Sequence, residues 1–340
     1  MNNESNILYQ FDERYAPIAA VSMTSLLENN KDLEIVIYAL TENVTALSKG
    51  KIESIVEKYD KKIIFLETEF LVSQLERLGI PKYRGAYATN FKLFITSILP
   101  ENITRILYLD CDTLITGKIE ELLRCDLEGC SVGMVLDSLG DKHAKLIGLT
   151  GNDYYFNGGV MLFDICRWRE KECSERIAQY AKAVRSNFPA PDQDLINIVL
   201  NQEIHLLGPQ YNLQPIHKVC TFGLYKFLWR WKKYYDKQTL SKALQNPVIH
   251  HCFRFIGQFP WDKGTVHPDV DLFNEYLELS NWNRNLLQYN GKEGIVFKME
   301  RKLYQSLSPT FFFILFRNCY DYFIWNANRK SLKNQIDKKM

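Results

Sequence analysis

The sequence predicts an α/β protein with a mostly parallel central sheet flanked by helices. Two observations lead to this fold class. Strand and helix patterns alternate through the first 66 residues, and such alternation is typical of a parallel sheet. A later apolar strand then runs directly into Asp110 and Asp112, and ligand sites of such sheets lie at the carboxyl ends of the strands.

The opening elements follow from their apolar periodicity. Residues 7–11 form a first buried strand, and a helix over residues 15–27 carries Ile18, Val21 and Leu26 on one side. The other predicted strands are residues 34–40, 62–66, 105–109, 130–136 and 156–163. The other predicted helices are residues 44–59, 89–99 (ended by Pro100), 168–186 and 193–200.

The composition is that of a globular protein with a large core. Of 340 residues, 46% are hydrophobic and 24% are charged, which excludes a disordered chain. Eight cysteines occur without any C-x-x-C pair, which argues against zinc and favours reduced thiols. The polar N-terminus lacks an apolar signal segment, so we expect a cytoplasmic protein.

The last fifty residues differ from the rest. Residues 291–340 contain ten Lys and Arg against four Asp and Glu, a net charge of +6, whereas the whole chain carries +2. We therefore predict a catalytic domain over residues 1–285 and a helical, basic and aromatic tail over residues 286–340. The apolar run at residues 311–316 is too short to span a bilayer. It suits a helix lying on an anionic membrane surface, or it docks on the core while the lysines face water.

Asp110 and Asp112 are the first candidates for chemistry. In extended chain their side chains share one face, so at an exposed strand end they can bind one divalent cation. Taken alone, an Asp-x-Asp after a strand is also compatible with a solvated turn. The sequence contains neither a G-x-G-x-x-G fingerprint after the first strand nor a P-loop, which argues against dinucleotide enzymes and P-loop kinases.

Further motifs stand before and after the Asp-x-Asp. In chain order they are the Asp12–Tyr15 turn, Tyr155-Phe-Asn157-Gly-Gly159, Pro191-Asp192-Gln193-Asp194, and Val248-Ile-His250-His251-Cys252 followed by Pro260-Trp261. Together with the Asp-x-Asp, this order resembles glycosyltransferase family 8 over residues 6 to 265. The resemblance implies a GT-A type fold and a retaining, metal-dependent sugar transferase.

By that resemblance, Asp110, Asp112 and a histidine after a late strand bind the metal. His250 and His251 are both available, and His250 is preferred because it follows two hydrophobic residues as in the family. Two carboxylates and one imidazole suit Mn²⁺, with Mg²⁺ next. A histidine pair after an apolar strand is also compatible with a purely structural role.

The resemblance also implies a donor site. Asp12 and Tyr15 match uridine-binding positions, and Lys92 stands where the family has an arginine that contacts the donor. Gly257 opens the loop that leads to Pro260-Trp261 and is counted among the donor-binding residues. Phe259 occupies the place of a lysine or arginine that neutralises the diphosphate, and Arg254 or Lys263 is the alternative cation.

Four polar residues match positions beside the transferred sugar. They are Asp137, Asn157, Asp192 and Gln193, with Gln193 near the reacting face. A structural alternative exists for two of them, because Asp192 suits a helix N-cap and the segment from Asn157 to Gly159 suits a turn. No carboxylate is assigned as a nucleophile.

The predicted function is transfer of glucose or galactose from a UDP-sugar to a glycan acceptor. A lipid-linked, lipopolysaccharide or capsule-type acceptor would explain a tail that keeps the enzyme at the inner face of the membrane. The alternatives are a non-catalytic nucleotide-sugar-binding relative, a nucleotide-sugar hydrolase and a nucleotidyltransferase. Nucleic-acid binding is not expected, since the basic residues lie in one tail without a base-reading module.

Overall fold

The computed structural model describes residues 4–83, 85–138, 141–149, 153–184, 188–229, 233–282 and 295–319. Its strands, in chain order, are β1 (Ser5–Asp12), β2 (Ile35–Glu42), β3 (Lys62–Leu66), β4 (Arg105–Leu109), β5 (Thr113–Ile115), β6 (Val132–Leu136), β7 (Phe156–Asp164), β8 (Ile204–Leu206) and β9 (Ile249–His251). Seven of them form one mixed sheet in the order β3-β2-β1-β4-β7-β6-β8. Only the pairs that β7 makes with β4 and β6 are antiparallel, so the prediction of a mostly parallel sheet is confirmed.

Helices cover both faces of this sheet. They are α1 (Ala16–Asn29), α2 (Ala46–Glu57), α3 (Glu69–Leu78), α4 (Glu120–Leu123), α5 (Asp141–Leu146), α6 (Ile165–Glu170), α7 (Cys173–Val184), α8 (Pro191–Leu200), α9 (Pro215–Val219), α10 (Phe222–Trp229), α11 (Lys237–Gln245), α12 (Val270–Leu279), α13 (Ile295–Ser306) and α14 (Pro309–Cys319). Alternate residues of β1 enter opposite core clusters, with Leu8 on one face and Ile7 and Tyr9 on the other. Burial on both faces explains why β1 reads as a nearly continuous apolar run.

Two helix predictions need correction. The segment at Ala88–Ser97 is a 3₁₀ helix broken at Phe94 rather than an α-helix. The helix predicted over residues 168–186 is two helices, α6 and α7, because Glu172 adopts a positive φ of 50° between them. Helix α3, which ends at Gly79 in the left-handed conformation, was not predicted.

The topology gathers polar residues at one edge of the sheet. Asp12 ends β1, Asp110 follows β4 and Asp137 follows β6. Because β7 runs antiparallel to its neighbours, its beginning rather than its end lies at this edge, and there it carries Asn157. A second, two-stranded sheet of β5 and β9 pairs Thr113 with His251 and so brings the histidines of β9 to the Asp-x-Asp turn.

The C-terminal helices α13 and α14 pack on α10 and on the segment after β9. Phe312 and Phe313 are 2% and 1% exposed, in a cluster with Tyr225 and Phe255. The docking alternative therefore holds for these two residues, while Phe311 is 62% exposed. The predicted boundary at residues 285 and 286 and everything after residue 319 lie outside the described residues. Within the described part of the chain, no helix combines the length and apolar character that crossing a membrane requires.

Candidate active site

A cavity of about 370 Å³ opens at the edge of the sheet where Asp12, Asp110 and Asp137 lie. It collects residues from the two halves of the sheet, from α8 and from the segment after β9. Nine residues predicted from the sequence line it, namely Asp12, Tyr15, Lys92, Asp110, Asp112, Asp137, Asn157, Asp192 and Gln193. His251 lines it too, whereas His250 and Gly257 are not among its lining residues.

Asp110, Asp112 and His251 form a group that could hold a metal ion. One ligand atom of each lies within 4.8 Å of the others, and His251 Nε2 lies 3.2 Å from Asp112 Oδ1 and 3.6 Å from Asp110 Oδ2. Burial raises the pKa of Asp110, although Lys92 opposes the rise. Burial would lower the pKa of His251, but Asp112 and Asp110 outweigh it and raise that pKa. A divalent cation between these groups would favour the charged form of Asp110 and would take the place of the proton that the two carboxylates favour on His251. The residues present therefore fit such an ion.

Hydrogen bonds fix the orientation of the His251 ring. Its Nδ1 lies 3.1 Å from Asn157 Oδ1 and 3.1 Å from Asn212 Oδ1. Since both atoms are acceptors, the ring carries a proton on Nδ1, and in the neutral ring Nε2 presents its lone pair to the two carboxylates. Gly159 makes room for the ring, because a Cβ there would lie 2.1 Å from His251 Cε1.

The choice of His250 as the metal ligand is corrected by this geometry. Neighbouring residues of a strand point to opposite faces, so His250 turns away from the Asp-x-Asp turn. Its Nδ1 lies 3.0 Å from Asp269 Oδ1, and Lys218 contacts both groups. Hydrogen bonds from these two partners outweigh burial and lower the pKa of Asp269 to about 2. His250 thus joins β9 to the start of α12, and His251 faces the cavity.

Lys92 is a buried cation on the cavity floor. Its Nζ lies 2.7 Å from Asp192 Oδ2, donates to the carbonyl of Gly158 at 2.9 Å and lies 3.7 Å from Asp110 Oδ1. Asp110 and Asp192 outweigh burial and raise the pKa of Lys92. Asp192 therefore serves as its counter-ion, and the N-cap alternative for Asp192 is wrong because Ala190 holds the cap position of α8.

A chain of amides and carboxylates lines the side of the cavity next to α8. Gln193 donates to Asp137 Oδ2 at 3.0 Å and accepts from the amide of Gly158 at 2.9 Å. Asn157 also donates to Asp137 Oδ2, at 2.7 Å. Sequence reasoning missed Asn212, which donates to Asn157 Oδ1 at 2.8 Å. The sequence offers little signal for it, since Asn212 reaches the site only through the fold.

The comparisons with known proteins agree with these features. The family model "Glycosyl transferase family 8" matches residues 6–264. The chain belongs to glycosyltransferase family 8. It is 26% identical to general stress protein A of Bacillus subtilis, over 80% of this chain and 92% of that protein. It is 25% identical to a lipopolysaccharide 1,2-glucosyltransferase of Escherichia coli K12, over 82% and 78% of the two chains.

A solved structure gives the fold of this family 8 member a direct counterpart. The galactosyltransferase LgtC, crystallised with donor and acceptor sugar analogues, matches with a TM-score of 0.66 and 18% identity over 82% of this chain and 97% of that one. This likeness establishes the GT-A fold. The relatives of the chain include lipopolysaccharide glucosyltransferases and galactosyltransferases.

The segment after β9 departs from the expected family 8 pattern. Phe259 lines the cavity and stacks on Trp261 with ring centroids 4.5 Å apart, and Trp261 meets the edge of Tyr15 at 6.4 Å. Gly257 does not reach the cavity. It forms a turn with φ of 76°, and its Cα lies against the Phe297 ring, so its prediction as a donor-binding residue is not supported by this placement.

Proposed function

We propose that this family 8 chain is a divalent-metal-dependent, retaining hexosyltransferase that takes glucose or galactose from a UDP-sugar and gives it to a glycan. One observation carries the proposal. The Asp110, Asp112 and His251 ligand atoms lie within 4.8 Å of one another in the same cavity as the amide and carboxylate groups of Asn157, Asp137 and Gln193. A metal-binding end and a hydroxyl-binding end in one cleft match the two halves of a nucleotide sugar.

The metal end would support departure of the diphosphate. Asp110, Asp112 and His251 would hold the ion, and two oxygens with one imidazole favour Mn²⁺, with Mg²⁺ as the alternative. When bound, such an ion acts as a Lewis acid on the departing diphosphate. Buried Lys92 pairs with Asp192 at 2.7 Å and lies 3.7 Å from Asp110, so its single positive charge offsets part of the negative charge at this end of the cavity.

The wall formed by Asp12 and Tyr15 would bind uridine. Asp12 Oδ1 accepts from the amide of Tyr15 at 3.1 Å, so the backbone holds the turn that presents both side chains. The half-buried Tyr15 ring lies edge-on to Trp261 and offers a face for a base. Asp12 also binds Arg14, whose guanidinium reaches Oδ2 at 2.6 Å.

The hexose would lie between Asp137, Asn157 and Gln193. Hydroxyl groups need several fixed partners, and these side chains hold each other in place through hydrogen bonds of 2.7 to 3.0 Å. The proposed course is front-side attack. The acceptor hydroxyl bonds to the anomeric carbon on the face that the diphosphate leaves, the bond from that carbon to the diphosphate breaks, and the diphosphate takes the hydroxyl proton. Gln193 lies beside the reacting face.

The acceptor proposed is a lipid-linked or lipopolysaccharide-type glycan, with the tail holding the enzyme on an anionic membrane. Support comes from an exposed apolar group on the C-terminal helices, made of Met299, Leu303, Phe311, Ile314 and Leu315. Co-sedimentation with vesicles of zwitterionic lipid with and without anionic lipid tests this. Binding to anionic vesicles that is lost in a Phe311→Ser, Leu315→Ser double variant supports it, and no vesicle binding by the wild type excludes it.

Donor turnover tests the transferase function itself. The purified protein is incubated with Mn²⁺, a lipopolysaccharide-type acceptor mixture and UDP-glucose, UDP-galactose, ADP-glucose or GDP-mannose, and the released nucleotide is measured. Acceptor-stimulated release of UDP from one UDP-hexose, with an α-linked product, supports the proposal. Binding of UDP without turnover of any donor would favour the non-catalytic alternative. Release that no acceptor stimulates would favour a hydrolase.

A further inference from the structure

Three cations line the described part of the cavity, and their surroundings differ. Arg14 is bound by Asp12, and Lys92 is buried against Asp192. Arg254 is the third, and no carboxylate among the described residues lies within salt-bridge distance of it. The sequence offers Arg254 and Lys263 as alternative cations for the diphosphate. Lys263 is exposed and does not line the cavity, so Arg254 is the better candidate.

Two aromatic rings hold the Arg254 guanidinium instead of a counter-ion. Its Cζ lies 5.4 Å from the Phe259 ring centroid and 5.5 Å from the Phe297 ring centroid. Cations within about 6 Å of a ring face are attracted by its quadrupole. The first of these rings, Phe259, lines the cavity and is itself stacked on Trp261.

The second ring comes from the tail. Phe297 lies in the first turn of α13 and packs on the backbone of Gly257, where any Cβ would come within 2.5 Å of the ring. The positive φ of Gly257 shapes the same turn. The glycine thus lets α13 approach closely enough for Phe297 to reach Arg254.

We propose that Arg254 is the cation that binds the donor diphosphate, and that Phe297 of α13 is a positioning residue for it. This inference rests on the proposed use of a nucleoside diphosphate donor. A guanidinium pairs with phosphate oxygens through two parallel hydrogen bonds, and contact with the two rings limits the positions that it can take without neutralising its charge. The tail thereby completes the donor site as well as packing on the core.

The test compares UDP with uridine, which lacks phosphates, by titration calorimetry in Mn²⁺. Arg254→Gln should weaken UDP binding roughly 10- to 100-fold, the range for a hydrogen-bonded charged group, and leave uridine binding unchanged. Arg254→Lys keeps the charge without the planar fork and should fall between the two. Lys263→Gln is the matched control and should bind UDP as the wild type does.

A double-mutant cycle tests the role of Phe297. Phe297→Ala should weaken UDP binding about 3- to 10-fold, the size of a partly exposed cation–π contact, and should cost nothing further when Arg254 is already glutamine. Phe227→Ala, at an exposed aromatic of α10, is the control and should have no effect. Additive losses would overturn the positioning role. Wild-type UDP affinity in Arg254→Gln would overturn the whole inference while leaving the donor function standing, whereas failure of the wild type to bind UDP would overturn both.

Discussion

The two walls of the cavity are built in different ways. One wall is carried by the central sheet and α8, where Asp110, Asp137 and Asn157 sit at strand ends and are held by hydrogen bonds. The other wall follows β9, where Phe259 is stacked on Trp261 and Arg254 contacts the rings of Phe259 and of Phe297 from the C-terminal helix α13. The sheet wall is polar and fixed by the backbone ladder, whereas the C-terminal wall depends on burial of aromatic side chains.

The largest predicted effect concerns what holds the C-terminal wall. Phe312→Ala removes a side chain that is 2% exposed in the cluster with Phe255, and truncation of a buried phenylalanine costs about 3–5 kcal/mol. Thermal and urea unfolding should show a loss of this order. Phe311→Ala, 62% exposed, should unfold like the wild type. Equal effects of the two variants would show that the tail does not pack as described.

The second prediction concerns the sheet wall and separates the two histidines of β9. His251→Ala should weaken Mn²⁺ binding at least 10- to 100-fold, the cost of losing even an outer partner of a metal ligand. His250→Ala should mainly lower stability, because Asp269 and Lys218 lose a buried partner. Mn²⁺ titration and thermal unfolding of both variants distinguish these outcomes. A larger loss of Mn²⁺ affinity in His250→Ala would reverse the assignment.

The third prediction uses neighbouring glycines of the sheet wall. At Gly159 a Cβ would lie 2.1 Å from the His251 ring, whereas at Gly158 the nearest atom would be Lys92 Nζ at 3.5 Å. Overpacking typically costs about 1–3 kcal/mol. Gly159→Ala should therefore lower both stability and Mn²⁺ affinity, while Gly158→Ala should keep both. Unfolding curves with and without Mn²⁺ compare them directly, and a harmless Gly159→Ala would contradict the described position of His251.

The smallest predicted effect is a loss of stability at acidic pH that comes from the buried side chain of His217. Burial lowers the pKa of His217 from 6.5 to about 3, so between these values the unfolded chain takes up a proton that the folded chain does not. The stabilising contribution is complete above pH 6.5 and is lost as pH falls toward 3. As the pH falls from 7 to 5.5, the protonation difference at His217 should lower the free energy of unfolding by about 1 kcal/mol.

His217→Gln should reduce that pH dependence of the free energy of unfolding. Tyr225→Phe keeps the ring that meets His217 edge-on at 4.8 Å, so it should retain the wild-type dependence. Urea unfolding at pH 7, 6 and 5.5 gives both slopes. An unchanged slope in His217→Gln would place the acid sensitivity elsewhere.

The two walls also differ in how far the sequence predicts them. The sheet wall was predictable, because strand periodicity places Asp110 and Asp137 at carboxyl ends and a parallel sheet brings those ends together. The choice between His250 and His251 failed, since it depends on the register of β9 against β5, which long-range pairing sets. Asn212 and Phe297 approach the site from segments that are distant in the sequence, and local sequence patterns do not predict such contacts. Helix α6 ends at Glu170 and α7 begins at Cys173 because Glu172 between them takes a positive φ, which periodicity does not indicate.

Calorimetric titration of UDP into the purified protein tests the metal-dependent donor site without any knowledge of the acceptor. It is carried out with Mn²⁺, with EDTA, and with Mn²⁺ on Asp112→Ala, using Glu53→Gln on the exposed face of α2 as the control. A metal-dependent donor site predicts binding that needs both Mn²⁺ and Asp112 and that Glu53→Gln retains. Equal binding in EDTA or by Asp112→Ala, or no binding by the wild type in Mn²⁺, would contradict it.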